Sequence, residues 1–235
     1  MKLINRTLLA TIVALPILPL TMDRASARNP VIYDNGGPLN GGLGIISSFS
    51  GGITSVVADD FTLAPGENII TDYHWFGSYI GETEPSTPTD NFSILIFDDL
   101  NGSPNNVIEI PIQFEAVNRQ LTGDTLSGGE LIYEYSVKPV SSTYFMPDDT
   151  FWIGIFNEPS DGNWVWAQSS DVGNAVINFD QFLSSDEWML LTDLGVSSEL
   201  AFNLTGIPEP LTIGGVLLAS SLGAVFKRRL NRNNK

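Results

Sequence analysis

The strongest limit on the fold of this chain is its pattern of short apolar runs, which alternate with polar residues and end in clusters of Gly, Pro, Asn and Asp. A period of two places successive side chains on opposite faces of a strand. In one such run Phe92, Ile94 and Ile96 share one face, while Leu95 and Phe97 share the other. Because both faces are apolar, this run predicts a central strand that is covered on both sides.

The same pattern predicts further strands at residues 31–34, 53–63, 69–80, 107–117, 130–140, 150–157, 163–168, 175–179 and 199–205. Short strands separated by turn residues are typical of β-sandwiches. We therefore predict an all-β fold, a single jelly-roll-like β-sandwich domain over residues 29–206. Residues 184–194 are the one stretch expected to form a helical turn, which Gly195 would end. Residues 81–90 are expected to form an exposed loop.

The N-terminal residues 1–27 have the three parts of a secretory signal peptide. Lys2 and Arg6 give a positive start, residues 8–20 are apolar, and Ala25-Ser26-Ala27 offers a cleavage site of the A-x-A type. The body that follows is therefore predicted to be exported.

The C-terminal residues 207–235 also have three parts. The motif Pro208-Glu209-Pro210 precedes an uncharged run of 16 residues, 211–226, and a basic cluster, 227–235, that begins with Lys227-Arg228-Arg229. As a helix the run would be about 24 Å long, somewhat short for a bilayer core of about 30 Å. Basic residues directly after a span hold that end in the cytoplasm, so the body would lie outside. A plain C-terminal anchor and an apolar core helix are the alternatives.

This combination resembles the PEP-CTERM sorting domain of Gram-negative bacteria and cyanobacteria, over about an eighth of the chain. In that family the membrane enzyme exosortase recognises the tail and is thought to remove it near the motif. The resemblance implies that Pro208, Glu209 and Pro210 are the recognition motif and that Lys227, Arg228 and Arg229 retain the tail. It also implies transient residence in the inner membrane, then a place at the cell surface or in extracellular polysaccharide.

The body resembles β-sandwich modules that recur in exported bacterial proteins. The segments Ala58-Asp59-Asp60-Phe61 and Phe151-Trp152-Ile153-Gly154 carry part of this likeness. It supports the fold prediction and transfers no catalytic residue.

The body is strongly acidic. Residues 29–206 contain 25 acidic side chains against Arg119 and Lys138, a formal charge of −23. Such a domain repels nucleic acid and anionic membrane surfaces, and its natural small partners are cations. The chain has no cysteine, which excludes disulfides, thiolate catalysis and a lipid-modified Cys anchor.

Catalytic motifs are few. His74 is the only histidine, so a zinc site is not expected, and it is interpreted as a structural residue. A nucleophile elbow of the G-x-S-x-G kind is absent. A secreted hydrolase with two differently buried carboxylates stays open as an alternative, because the body is rich in acids.

Calcium is the cofactor that best suits this composition, although none is required. Asp98, Asp99 and Asn101 form the densest oxygen-bearing loop, and Ca²⁺ prefers such ligands. The alternative is that these residues only stabilise a turn.

Trp164 and Trp166 are two residues apart, so they share one face of a strand, about 6.5 Å apart. If that face is exposed, the two indoles could stack against sugar rings; if it points inward, they belong to the core.

Taken together, these features predict an exported, non-enzymatic structural or adhesive protein. The first alternative is a carbohydrate-binding module with an aromatic platform and structural calcium. The second is the carboxylate-dependent hydrolase.

Overall fold

The computed structural model describes residues 29–50, 53–86, 88–109, 111–158, 163–179, 188–196 and 199–207. The predicted signal peptide, the motif at 208–210, the span at 211–226 and the basic cluster at 227–235 lie outside these ranges. Within them the chain forms 15 strands and one 3-10 helix, Leu191–Leu194, and no α-helix. The all-β prediction is confirmed.

The strands form two sheets. The first sheet contains β1 Val31–Asp34, β2 Gly44–Ile46, β5 Ile69–Tyr79, β8 Asn118–Thr125, β9 Leu131–Val137, β10 Thr143–Tyr144, β12 Trp164–Ala167 and β15 Phe202–Gly206. The second sheet contains β3 Ser48–Ser50, β4 Ile53–Thr62, β6 Phe92–Asp99, β7 Pro104–Glu109, β11 Thr150–Asn157, β13 Val176–Asn178 and β14 Met189–Leu190.

Strand β5 is the centre of the first sheet. It pairs antiparallel with β9 and β10 along one edge and with β15 and β12 along the other. The sheet is extended by β8 beside β9, by β1 beside β15 and by β2 beside β12. At Gly77 the neighbouring strand comes so close that a Cβ atom would collide with the Trp164 ring and the Val165 carbonyl. A glycine is therefore required where β5 and β12 approach so closely.

Strand β6 occupies the central position that its sequence predicts. It lies between β11 and β7 in the second sheet, and all its pairings are antiparallel. Phe92, Ile94 and Ile96 contribute to the core between the two sheets, while Leu95 and Phe97 join a smaller apolar cluster on the opposite face. Both faces are therefore covered, as expected.

The main core lies between the two sheets and is rich in aromatic rings. Trp75 packs edge-on against Phe92 at 5.1 Å between ring centres and stacks on Tyr135 at 5.7 Å. Trp164 meets Phe92 edge-on at 5.0 Å. Residues from both sheets meet in this cluster, so the two layers bury one continuous apolar surface and form a sandwich-like body.

Several element boundaries differ from the sequence prediction. Strands 31–34 and 150–157 have the predicted bounds, whereas the predicted strand 107–117 is wrong over residues 111–117, which lie in no strand. The strongly polar β8 was not predicted, because it forms through backbone pairing with β9 and has no apolar alternation. The helical turn is a 3-10 helix, and Gly195 ends it with a φ of 81°.

The described residues of the segment 81–90 form a loop that is mostly exposed, as expected, although Glu82 is buried. None of the described ranges contains a helix with the length and apolarity that a membrane crossing needs.

Candidate functional site

Trp164 and Trp166 lie inside the main core. Both side chains have no exposed area, and their ring centres are 6.3 Å apart. The Trp166 indole N–H donates to the Ala201 carbonyl at 3.0 Å. The alternation of β12 places the two rings on one face, and that face points inward, because both rings pack in the core between the two sheets. The aromatic platform considered for sugar stacking is therefore not formed.

The loop at Asp98, Asp99 and Asn101 connects β6 to β7. Asp98 Oδ1 accepts a hydrogen bond from the Asn106 backbone N–H at 2.6 Å, and Asp99 Oδ1 accepts one from the Trp152 indole at 2.9 Å. Asn101 has a φ of 58°, in the left-handed region where Asn is favoured. Asp98 thus holds the hairpin and Asp99 contacts β11, and a calcium ion at this loop would have to compete with these hydrogen bonds.

A different group of carboxylates comes together between the sheets. Asp59 and Asp60 of β4 meet Glu199, which precedes β15, with one ligand atom of each within 4.8 Å of the others. Asp59 occupies the inward-facing side of β4, like Val57 and Phe61, and it has no exposed area. An acidic residue at an inward position of an apolar strand was the signal in the sequence that could have identified it.

Asp59 ties the two sheets together. Its Oδ2 accepts hydrogen bonds from the Asn35 side-chain amide at 2.8 Å and from the Leu200 backbone N–H at 2.7 Å. These partners flank β1 and β15 in the first sheet. The Tyr33 hydroxyl adds a hydrogen bond to the Asp60 carbonyl at 3.0 Å. One buried carboxyl therefore joins β4 to the residue that follows β1 and to the segment that precedes β15.

The electrostatics of this cluster favour the protonated, uncharged form of its aspartates. Burial raises the pKa of Asp59 well above its usual range, and the hydrogen bond and charge of Glu199 raise it further, against the opposing effect of the Leu200 N–H. Burial and the charge of Glu199 also raise the pKa of Asp60. The cluster therefore tends to hold a proton. A hard cation such as Ca²⁺ could replace that proton, because three carboxylates supply the ligands it prefers.

General acid–base chemistry by this cluster is restricted by access. A catalytic carboxyl has to reach the proton that it transfers, directly or through one water. Asp59 has no exposed area and uses its oxygens to bind Asn35 and Leu200. We interpret the Asp59–Glu199 pair as a structural element with a titratable proton.

Arg119 forms a second partly buried polar group with Glu82. Its guanidinium lies 3.6 Å from the centre of the Tyr133 ring and contacts Glu82 Oε1 at 2.6 Å. The hydroxyls of Tyr133 and Ser86 donate to the same Glu82 oxygen, at 3.1 and 2.6 Å. This arrangement anchors the segment after β5 and explains why Glu82 is buried despite its loop-like sequence.

A cleft of about 710 Å³ lies on the outer face of the first sheet. It is lined by Asn29, Val31, Asp72, His74, Asn118, Gln120, Glu134, Ser136, Lys138, Asn203 and Thr205. His74 Nδ1 contacts Glu134 Oε1 at 2.9 Å, and the histidine faces outward into the cleft. Sequence reasoning missed this cleft, because its residues come from five separate segments that meet only in the sheet.

Comparison with known proteins adds no assignment. No family model matches the chain, and no curated protein or solved structure matches it either. The proposed function therefore rests on the sequence signals at both ends of the chain and on the geometry of the body.

Proposed function

We propose that this chain is an exported, non-enzymatic β-sandwich protein of the jelly-roll type, which exosortase sorts and processes at the C-terminus. Its destination is the cell surface or the extracellular matrix of a Gram-negative-type bacterium. The observation that carries the proposal is the terminal order of Pro208-Glu209-Pro210, the uncharged run 211–226 and the basic cluster 227–235. The predicted signal peptide at 1–27 points independently to export.

The geometry of the body supports a structural role. The side chains best suited to chemistry are already engaged with each other: Asp59 ties strands together, Arg119 neutralises Glu82, and His74 pairs with Glu134. Each contact joins separate strands or a strand to a loop, so each stabilises the sandwich. A charge of −23 over residues 29–206 also keeps an exported domain soluble and separate from other copies.

The test separates the motif from the membrane span. Glu209→Ala changes neither the apolarity of 211–226 nor the basic cluster, so insertion should continue. We expect this variant to accumulate as an uncleaved, membrane-bound precursor, whereas the wild type loses an epitope placed after Lys235. Leu217→Asp puts a charge near the centre of the span, at about 2.5–3.5 kcal/mol on insertion scales, and should yield soluble precursor that keeps the epitope.

Glu84→Ala serves as the control, because it removes one exposed acid from the body and leaves the tail unchanged. Immunoblots of membrane, soluble and extracellular fractions measure all four proteins. If the wild type keeps its epitope in the membrane and Glu209→Ala behaves identically, the processing proposal is wrong and 211–226 is a plain anchor.

A further inference from the structure

We infer that the cleft on the outer face of the first sheet binds an uncharged, hydroxyl-rich polymer, a neutral polysaccharide chain. The proposed function places the protein at a surface but assigns no ligand to its body. Three features of the cleft support this inference: a continuous row of hydrogen-bonding side chains, the absence of partners for most of them among the described residues, and carboxylates that already contact a basic side chain.

The row follows from strand register. Asn118 of β8 lies opposite Ser136 of β9, Ser136 lies opposite His74 of β5, and His74 lies opposite Asn203 of β15. Neighbouring strands are about 4.8 Å apart, so the four side chains extend over about 14 Å across the sheet. Gln120 lies two residues beyond Asn118 on the same face of β8. A groove of this length suits a chain rather than a single ion.

The polar atoms of this row are free to bind a ligand. Within the described part of the chain, the side chains of Asn118, Gln120, Ser136 and Asn203 make no hydrogen bond, although all four line the cleft. Amides and hydroxyls each offer a donor and an acceptor. Sugar hydroxyls have the same dual character, so one face of a sugar chain can satisfy several of these groups at once.

The charge of the cleft argues for an uncharged ligand. Arg119, Lys138 and His74 are the only side chains of residues 29–206 that can be cationic, and two of them line the cleft. His74 pairs with Glu134 at 2.9 Å, and Lys138 lies 3.7 Å from Asp72. An acidic polymer would be repelled by the domain charge of −23, and a cation would have to compete with the His74 and Lys138 contacts of these two carboxylates.

The polarity of the lining argues against an apolar protein partner. Val31 is the one apolar side chain among the lining residues, whereas the hydrophobic centre of a protein interface is depleted in charged residues and enriched in aromatic ones. Affinity from hydrogen bonds alone is modest for each contact. A polymer with repeated units would compensate through many contacts along the row.

Affinity electrophoresis of the purified full-length protein tests this inference. Native gels contain a neutral polymer (dextran, pullulan, galactomannan or mixed-linkage β-glucan) or the anionic polymer alginate. We expect at least one neutral polymer to retard the wild type. The double variant Asn118→Ala/Asn203→Ala removes both ends of the row and should weaken the apparent Kd by about tenfold, the effect of losing two hydrogen bonds.

Two further variants make the result specific. Gln120→Ala removes a third cleft amide from an exposed strand position and should weaken binding about threefold. Asn105→Ala removes a matched amide from β7 in the second sheet, outside the cleft, and should bind like the wild type. Circular dichroism and the melting temperature check that each variant is folded.

The inference is overturned if no neutral polymer retards the wild type, if alginate alone does so, or if the cleft variants and Asn105→Ala bind alike. Should the double variant be unfolded, Gln120→Ala decides the question by the same criterion. Binding is measured on intact purified protein, so its outcome is independent of whether the C-terminal tail is processed in cells.

Discussion

Replacing Glu199 by Gln should stabilise the protein at alkaline pH, because it removes one carboxylate from the buried cluster and keeps its shape. In the wild type, burial and then Glu199 raise the pKa of Asp59, so the folded protein holds a proton that the unfolded chain releases. In the variant the amide N–H can donate directly to the Asp59 carboxylate. That hydrogen bond forms without the proton that the folded wild type holds on its Asp59–Glu199 pair.

The sign and size of the pH effect follow from proton linkage. An unfolded Asp has a pKa of about 3.9, and the folded-state pKa of Asp59 is raised. Between these two values the folded state binds more protons than the unfolded state. The free energy of unfolding therefore falls as pH rises, by up to about 1.4 kcal/mol per pH unit for each such proton. The raised pKa of Asp60 acts in the same direction.

Glu199→Gln should make this pH dependence shallower. Near pH 8 we expect the variant to be more stable than the wild type by about 1–3 kcal/mol, the scale of a hydrogen bond to a charged group. Near pH 4 the difference should become small, because Asp59 of the folded wild type is then protonated and its charge no longer opposes that of Glu199.

Urea unfolding, followed by tryptophan fluorescence at several pH values, measures the free energy of unfolding of each variant and its dependence on pH. Glu84→Gln is the matched control, because it removes the same charge from an exposed position of the same acidic domain. The reasoning is refuted if Glu199→Gln is no more stable than Glu84→Gln near pH 8, or if its pH dependence equals that of the wild type. Repeating the series with millimolar CaCl₂ shows whether a cation can replace the proton: calcium should then stabilise the wild type and not Glu199→Gln.

Two further predictions use the same unfolding assay. Arg119→Ala leaves the Glu82 carboxylate buried without its cation and should lower the free energy of unfolding by about 3–5 kcal/mol. Lys138→Ala is the control: its side chain is 79% exposed, so its loss should change the free energy of unfolding by less than about 0.5 kcal/mol. If Arg119→Ala and Lys138→Ala changed the free energy of unfolding equally, the buried Arg119–Glu82 pair would contribute nothing to stability. Gly77→Ala forces a Cβ against β12 and should lower the free energy of unfolding by about 1–3 kcal/mol. Gly37→Ala, which has open space around it, is the control and should be close to neutral. A neutral Gly77→Ala would disprove the close approach of β5 and β12 at this residue.

Local sequence pattern determined the strands whose two faces are both apolar. Residues 92–97 and 150–157 form β6 and β11 with nearly the predicted bounds, because each alternating position offers an apolar side chain that has to be buried. Turn residues likewise marked the end of the 3-10 helix at Gly195, whose left-handed backbone suits glycine. The sorting prediction also comes from the sequence alone, since a motif, an apolar run and a basic cluster are contiguous in the chain.

Tertiary structure decided what lies far apart in the sequence. Alternation shows that Trp164 and Trp166 share a face, but only the packing of the second sheet against that face shows that it is buried. Asp59 and Leu200 are 141 residues apart and meet because β4 and β15 belong to facing sheets. The polar cleft arises in the same way, from the register of four strands. Strand register depends on long-range pairing and on which face the core selects, and a local pattern of residues does not contain either.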